Sequence, residues 1–121
     1  MPFSSSGINR VFLLGSVAEE PHWQEIEGKE MLCFRLSTTE KLKRGDSFQE
    51  HTEYHNIKIP PEMVNDAVCP KRNQHLFIQG KVQTRVVFHD GVKLYRCEIL
   101  AASIRTVDND MEYLIASIEG L

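Results

Sequence analysis

The chain has 121 residues, 41% hydrophobic and 26% charged, which suits one globular domain and argues against both global disorder and two separate cores. No apolar run approaches the roughly 18 residues of a membrane span. MPFSSSGINR lacks the charged start and apolar middle of a signal peptide, so a soluble protein inside a cell is expected. The net charge of −3 hides an uneven spread: residues 31–107 hold twelve basic against eight acidic side chains, 19–30 five Glu against one Lys, and 108–121 four acidic residues and no basic one. A basic middle of this kind steers a polyanion in spite of the acidic total.

In chain order, INRVFLLGSV is an apolar, β-branched run of strand length, with Gly15 marking a bulge or sharp bend. The acidic stretch 19–30 reads as a solvated loop region around Trp23. MLCFRLSTTE alternates: Leu32, Phe34 and Leu36 share one face, Arg35, Ser37 and Thr39 the other. KLKRGDS reads as a polar, basic turn that places Lys41, Lys43 and Arg44 in a loop. HTEYHNIKI sets Ile57 and Ile59 inward and Tyr54, Asn56 and Lys58 outward. Pro60 and Pro61 stop that strand, and Pro61 opens a short helix, PEMVNDAV. HLFIQGKVQTRVVF alternates again, Leu76, Ile78, Val82 and Val86 inward, Gln79, Lys81, Gln83 and Arg85 outward. Asp90-Gly91 is a hairpin signal that leaves Lys93 in the loop; beyond it, Tyr95, Cys97 and Ile99 oppose Arg96 and Glu98.

Three strands, a short helix and a two-strand hairpin predict an all-β fold, a five-stranded Greek-key barrel of the OB type with the helix between strands 3 and 4. Residues 1–107 form that domain. The short acidic segment 108–121 follows, with Met111, Leu114, Ile115 and Ile118 at helical spacing over 110–119 and Asp108 or Asp110 as N-cap.

The chemistry points away from catalysis. His51 and His55 would share a metal on a helix, but on a strand they stand about 13 Å apart. Cys33, Cys69 and Cys97 are widely spaced, and Cys33 and Cys97 read as small buried apolar groups. No G-x-S-x-G, H-E-x-x-H or Gly-rich phosphate loop occurs. Neither enzyme, metal nor cofactor is expected. A binding face is better supported: Arg35, Tyr54, Asn56, Lys58, Lys81, Gln83 and Arg85 outward on strands, with Lys41, Lys43, Arg44 and Lys93 beside them. Cations pair with phosphates and exposed rings stack on bases of any identity. Exposed strands are also commonly lysine-rich merely to stay soluble.

INRVFLLGSV, FRLSTTE, TEYHNIKIPPE and LFIQGKVQTR, in this order over residues 8 to about 107, resemble the bacterial and mitochondrial single-stranded DNA-binding protein family. The resemblance implies an OB fold, a homotetramer (or dimer) without enzyme activity, and single strands wrapped on the surface during replication, recombination and repair. It further implies a bacterial cytoplasm, at the nucleoid, or a mitochondrial matrix. It places His55 near a subunit interface. Of four base-stacking positions, Tyr54 keeps a ring, whereas Leu42, Pro60 and Val87 replace the others. Phe88, with Lys93 at the hairpin tip, Phe48 and Trp23 stand as substitutes, Trp23 equally as a core or interface residue. Bacterial members end in a flexible linker and an acidic, phenylalanine-containing tip that recruits partner proteins; this chain stops at IEGL. The rival expectation is an OB-fold adaptor for protein assembly, with weak or no affinity for DNA.

Overall fold

The computed structural model describes residues 6–107, and the helix expected over 110–119 lies outside them. Six strands make up the fold: β1 (Val11–Val17), β2 (His22–Ile26), β3 (Lys29–Arg44), β4 (Ser47–Ile59), β5 (His75–His89) and β6 (Val92–Thr106). They lie in the order β1-β5-β6-β4-β3-β2, and a further pairing of β1 with β3 through Ser16↔Ser37 and Val17↔Leu36 closes five of them into a barrel. β2 flanks β3 outside the closed set. Barrel closure removes sheet edges that would otherwise recruit stray strands.

The alternating residues fill the interior as their spacing dictates. Val17, Leu32, Phe34, Leu36, Ile57, Ile59, Leu76, Ile78, Ile99 and Ala101 form one buried cluster, each large side chain contributing about 1.5–3 kcal/mol by leaving water. β1 passes from β5 to β3 at Gly15, where a β-carbon would stand 2.1 Å from the carbonyl oxygen of Ser37. Glycine is therefore needed there for close backbone approach, with no break in the β1–β5 register. The bulge falls instead at Gln79/Gly80.

Four local expectations are corrected. The helix PEMVNDAV shrinks to a single 3-10 turn at Pro61–Met63: Val64 is already extended, and the Asn65 side chain accepts the backbone N–H groups of Ala67 and Val68, an Asx turn that competes with helix. The acidic stretch contains a strand, β2, joined to β3 by a turn with Glu27 and Gly28 at φ 52° and 81°, the twist-matched hairpin geometry. Lys41, Lys43 and Arg44 lie on β3 rather than in a loop, since β3 and β4 pair without interruption from Leu32↔Ile59 to Arg44↔Ser47 around Gly45-Asp46. Lys93 likewise lies on β6.

No helix among the described residues is long and apolar enough to cross a membrane.

Candidate nucleic-acid interface

The exterior of the β3–β4 hairpin brings Arg35, Ser37, Thr39, Lys41 and Lys43 opposite Asn56, Tyr54, Thr52, Glu50 and Phe48. Tyr54 is 56% exposed, and the guanidinium carbon of Arg35 stands 5.1 Å from its ring centroid. That is a cation–π distance. Arg35 Nε also donates to Glu19 Oε2 at 3.3 Å, an exposed pair of small energetic weight. Asn56 Nδ2 donates to the Cys97 carbonyl at 3.4 Å, tying β4 to β6. Lys41, Lys43 and Arg44 are exposed; Phe48, opposite Lys43, is exposed as well.

Two expected contacts keep the exterior parity but are covered. Lys58, read as outward, is only 7% exposed. It lies in the sheet centre opposite Cys33 and Leu100, and its ammonium stands 3.4 Å from Glu98 Oε1. Arg85 is largely covered too, giving Glu98 two hydrogen bonds at 2.9 and 3.0 Å. Those bonds from Arg85 hold the Glu98 carboxyl below its ordinary pKa, against the opposing pull of burial. Beside this network, Ile26, Met31 and Cys33 form a second small apolar cluster. Burial raises the Cys33 thiol pKa, so this group stays protonated and inert.

Exposed cations on the exterior face include Arg35, Lys41, Lys43, Lys81 and Arg96. Reading the residues by pattern alone passed over Arg96, although counting outward from Asp90-Gly91 sets it directly opposite Arg85. It is half exposed, 3.7 Å from Glu98. Gln83 is half-buried opposite Glu98.

The opposite face of the β5–β6 ribbon departs further from expectation. Val86, Tyr95 and Cys97, read as inward, are exposed, because the ribbon extends past the barrel and its core-side face there meets solvent. Phe88 and Lys93 share that face, and Lys93 Nζ lies 5.3 Å from the Tyr95 ring centroid.

His55 is half-buried on the core-side face of β4, its Nε2 2.7 Å from Thr38 Oγ1. Burial lowers its pKa. His51 pairs with Glu53 at 2.6 Å, and no group of three or more His, Cys, Asp or Glu among the described residues is placed to hold a metal ion. Trp23 is half exposed on β2.

A family model described as the single-strand binding protein family matches residues 8–107. The chain belongs to this family. Among family relatives, the mitochondrial single-stranded DNA-binding protein of Mus musculus is 32% identical over 85 residues, covering 62% of this chain and 56% of that protein. Its Pongo abelii counterpart is 29% identical over the same length, covering 62% and 57%. The chain thus spans a little over half the length of the curated relatives it matches. Single-strand binding folds also appear among solved structures. A Plasmodium falciparum SSB in complex with ssDNA superimposes with a TM-score of 0.73 at 20% identity, covering 88% of this chain and all of that one. A small single-stranded DNA-binding protein from Streptomyces coelicolor gives 0.62 at 18%, covering 81% and 93%. These likenesses establish the OB-type barrel.

Proposed function

We propose that this chain binds single-stranded DNA without regard to sequence and protects it during replication, recombination and repair, as a non-enzymatic homo-oligomer. The observation that carries this reading is Tyr54, an exposed ring under the Arg35 guanidinium on a strand face that also presents Lys41 and Lys43. Such a face satisfies both needs of a nonspecific binder: cations that follow the phosphates and a ring on which any base stacks. Family membership supports it, as do relatives named as single-stranded DNA-binding proteins.

Residues 1–107 are the binding domain, and 108–121 a separate acidic segment. Four chains assemble, with His55 near a contact between them. The place of work is a DNA-containing compartment, the mitochondrial matrix or the bacterial nucleoid; the mouse relative is mitochondrial.

Fluorescence anisotropy of a labelled oligo(dT) against the full chain at two salt concentrations tests the reading. Stoichiometric binding that weakens as salt rises is expected. Absence of binding at low salt overturns it, and leaves the barrel as a protein-assembly adaptor. Sedimentation of the free protein checks the tetramer.

A further inference from the structure

β2 ends the sheet: among the described residues it pairs with β3 on one side and with no strand on the other. Its two faces differ. Ile26 is buried against Met31 and Cys33 and fixes the hairpin to the barrel exterior. Trp23 and Glu25, two residues apart and so about 7 Å along the strand, share the opposite face and are exposed. Natural sheet edges are blunted by lysine, proline or a bulge. β2, HWQEI, carries neither lysine nor proline, and its register with β3 is unbroken from His22↔Cys33 to Ile26↔Lys29.

The side chains on the open face indicate what the edge takes. Glu25 stands directly opposite Glu30 and both are exposed, a like-charge cross-strand pair that costs the hairpin stability. The ion pairs among the described residues relieve neither carboxylate: Lys29 bonds Glu62 at 3.2 Å, and Arg35 reaches Glu19. Next on that face comes the Trp23 ring, 49% exposed. Two uncompensated carboxylates beside an indole suit a guanidinium, which forks onto carboxylates and stacks on aromatic rings. They repel a phosphate, since residues 19–30 carry five Glu and one Lys. The chemistry fits a cationic protein segment and not a DNA strand.

We infer that the outer edge of β2 is a docking site for a partner protein, which adds an extended, arginine-bearing segment beside it, one guanidinium on Trp23 and the next between Glu25 and Glu30. The mode is strand addition: main-chain hydrogen bonds to the edge give affinity, and alternate side chains give specificity. Alternate residues of an added strand stand on one face, so arginines two apart reach Trp23 and Glu25 together. Through its pairing with Leu32, Trp23 has the core-side parity, whereas Tyr54 has the exterior one. The docking site is therefore separate from the Tyr54 face and stands or falls independently of the DNA-binding reading.

Trp23 is the chain's one tryptophan, so its fluorescence reports on the site directly. The probe is a synthetic peptide alternating arginine and threonine, added to the full chain, with anisotropy of the labelled peptide for the variants Trp23→Ala, Glu25→Gln and Glu30→Gln. Saturable change in Trp23 emission is expected, with slower amide exchange over residues 22–26. Each variant is expected to bind the peptide roughly tenfold more weakly, about the loss of one charge-assisted contact, and to keep the parent's affinity for oligo(dT). A peptide with proline in place of threonine, which cannot donate to the edge, is expected to lose binding. Equal binding of the proline peptide overturns the inference, because charge alone then suffices. Absence of binding by the arginine peptide overturns it as well, and leaves the glutamates as guards of an idle edge. Loss of oligo(dT) affinity in Trp23→Ala, with peptide binding unchanged, assigns the ring to DNA. Loss of self-association in that variant, with peptide binding unchanged, assigns it to a contact between copies; either result overturns the inference.

Discussion

Arg85 grips Glu98 through two parallel hydrogen bonds, Nε to Oε1 at 2.9 Å and Nη2 to Oε2 at 3.0 Å, while Lys58 approaches the same carboxylate at 3.4 Å. One buried carboxylate thus holds two buried cations brought by β4 and β5, with the half-exposed Arg96 at 3.7 Å as a third, looser partner, next to a small apolar cluster. Deleting the carboxylate strands both. Glu98→Ala is expected to cost about 3–5 kcal/mol, the loss typical of a broken buried ion pair, read as a lower urea midpoint. A change below about 0.5 kcal/mol would mean that Lys58 and Arg85 reach water when released.

The same geometry divides the cations by task. Arg96, Lys41 and Lys43 are open to a phosphate, whereas Lys58 is committed internally. Each phosphate contact removed from a single-strand complex lowers the slope of log affinity against log salt by about 0.7. Arg96→Ala, Lys41→Ala and Lys43→Ala are expected to do so with melting temperatures unchanged. Lys58→Ala is expected to lower the melting temperature and leave the slope alone. A slope lost in Lys58→Ala would restore that lysine to the DNA surface.

Alternation was legible in the sequence wherever a strand has one covered face. Leu32, Phe34, Leu36, Ile57, Ile59, Leu76 and Ile78 all lie in the core to which their spacing assigned them. Period two says which residues share a face; it does not say how far that face stays covered. Val86 and Tyr95 keep inward parity yet meet solvent because the ribbon outruns the barrel, and Lys58 keeps outward parity yet is buried because the sheet centre is crowded. β2 escaped notice for a related reason. Only Ile26 of its five residues is buried, so its signal lay in the Glu27-Gly28 turn and not in any apolar run. Lys41 to Arg44 read as a loop because a solvated hairpin has no core face to reveal its pairing.

Tyr54 presents an exposed ring on the exterior face, as Phe48 does. Tyr54→Ala is expected to weaken oligo(dT) binding by about 1–3 kcal/mol, and Tyr54→Phe to retain most of the affinity, since the stack needs the ring and not the hydroxyl. Anisotropy titrations of the two variants decide it. Equal losses in both would assign the role to the hydroxyl.

Acid is expected to destabilise the fold in two steps. Burial lowers the pKa of His55 from its ordinary 6.5, so the folded state binds fewer protons there than the unfolded chain. That contribution is complete above the unfolded value and is lost as pH falls toward the folded one. Glu98, lowered from 4.5 chiefly by Arg85, has the same sign at lower pH: its stabilisation is present above 4.5 and disappears as pH falls through its folded pKa. Melting temperature followed from neutral to acid is expected to drop below about pH 6.5, and again below the ordinary carboxylate range. His55→Gln is expected to abolish the first drop alone. A first drop that survives this substitution would place its cause elsewhere.

Gly15 offers a sharp test of barrel closure. A β-carbon added there would lie 2.1 Å from the Ser37 carbonyl oxygen and 3.0 Å from its carbon, at the point where β1 leaves β5 and reaches β3. Both neighbours are backbone, so relief requires the β1–β3 seam to part rather than a side chain to rotate. Gly7 has open space around it and serves as the control. Gly15→Ala is expected to cost more than about 3 kcal/mol, among the larger effects of single substitutions, and to speed amide exchange at Ala18, whose N–H bonds the Arg35 carbonyl across that seam. Gly7→Ala is expected to be neutral. Equal melting temperatures for the two variants would show that β1 can shift without opening the barrel.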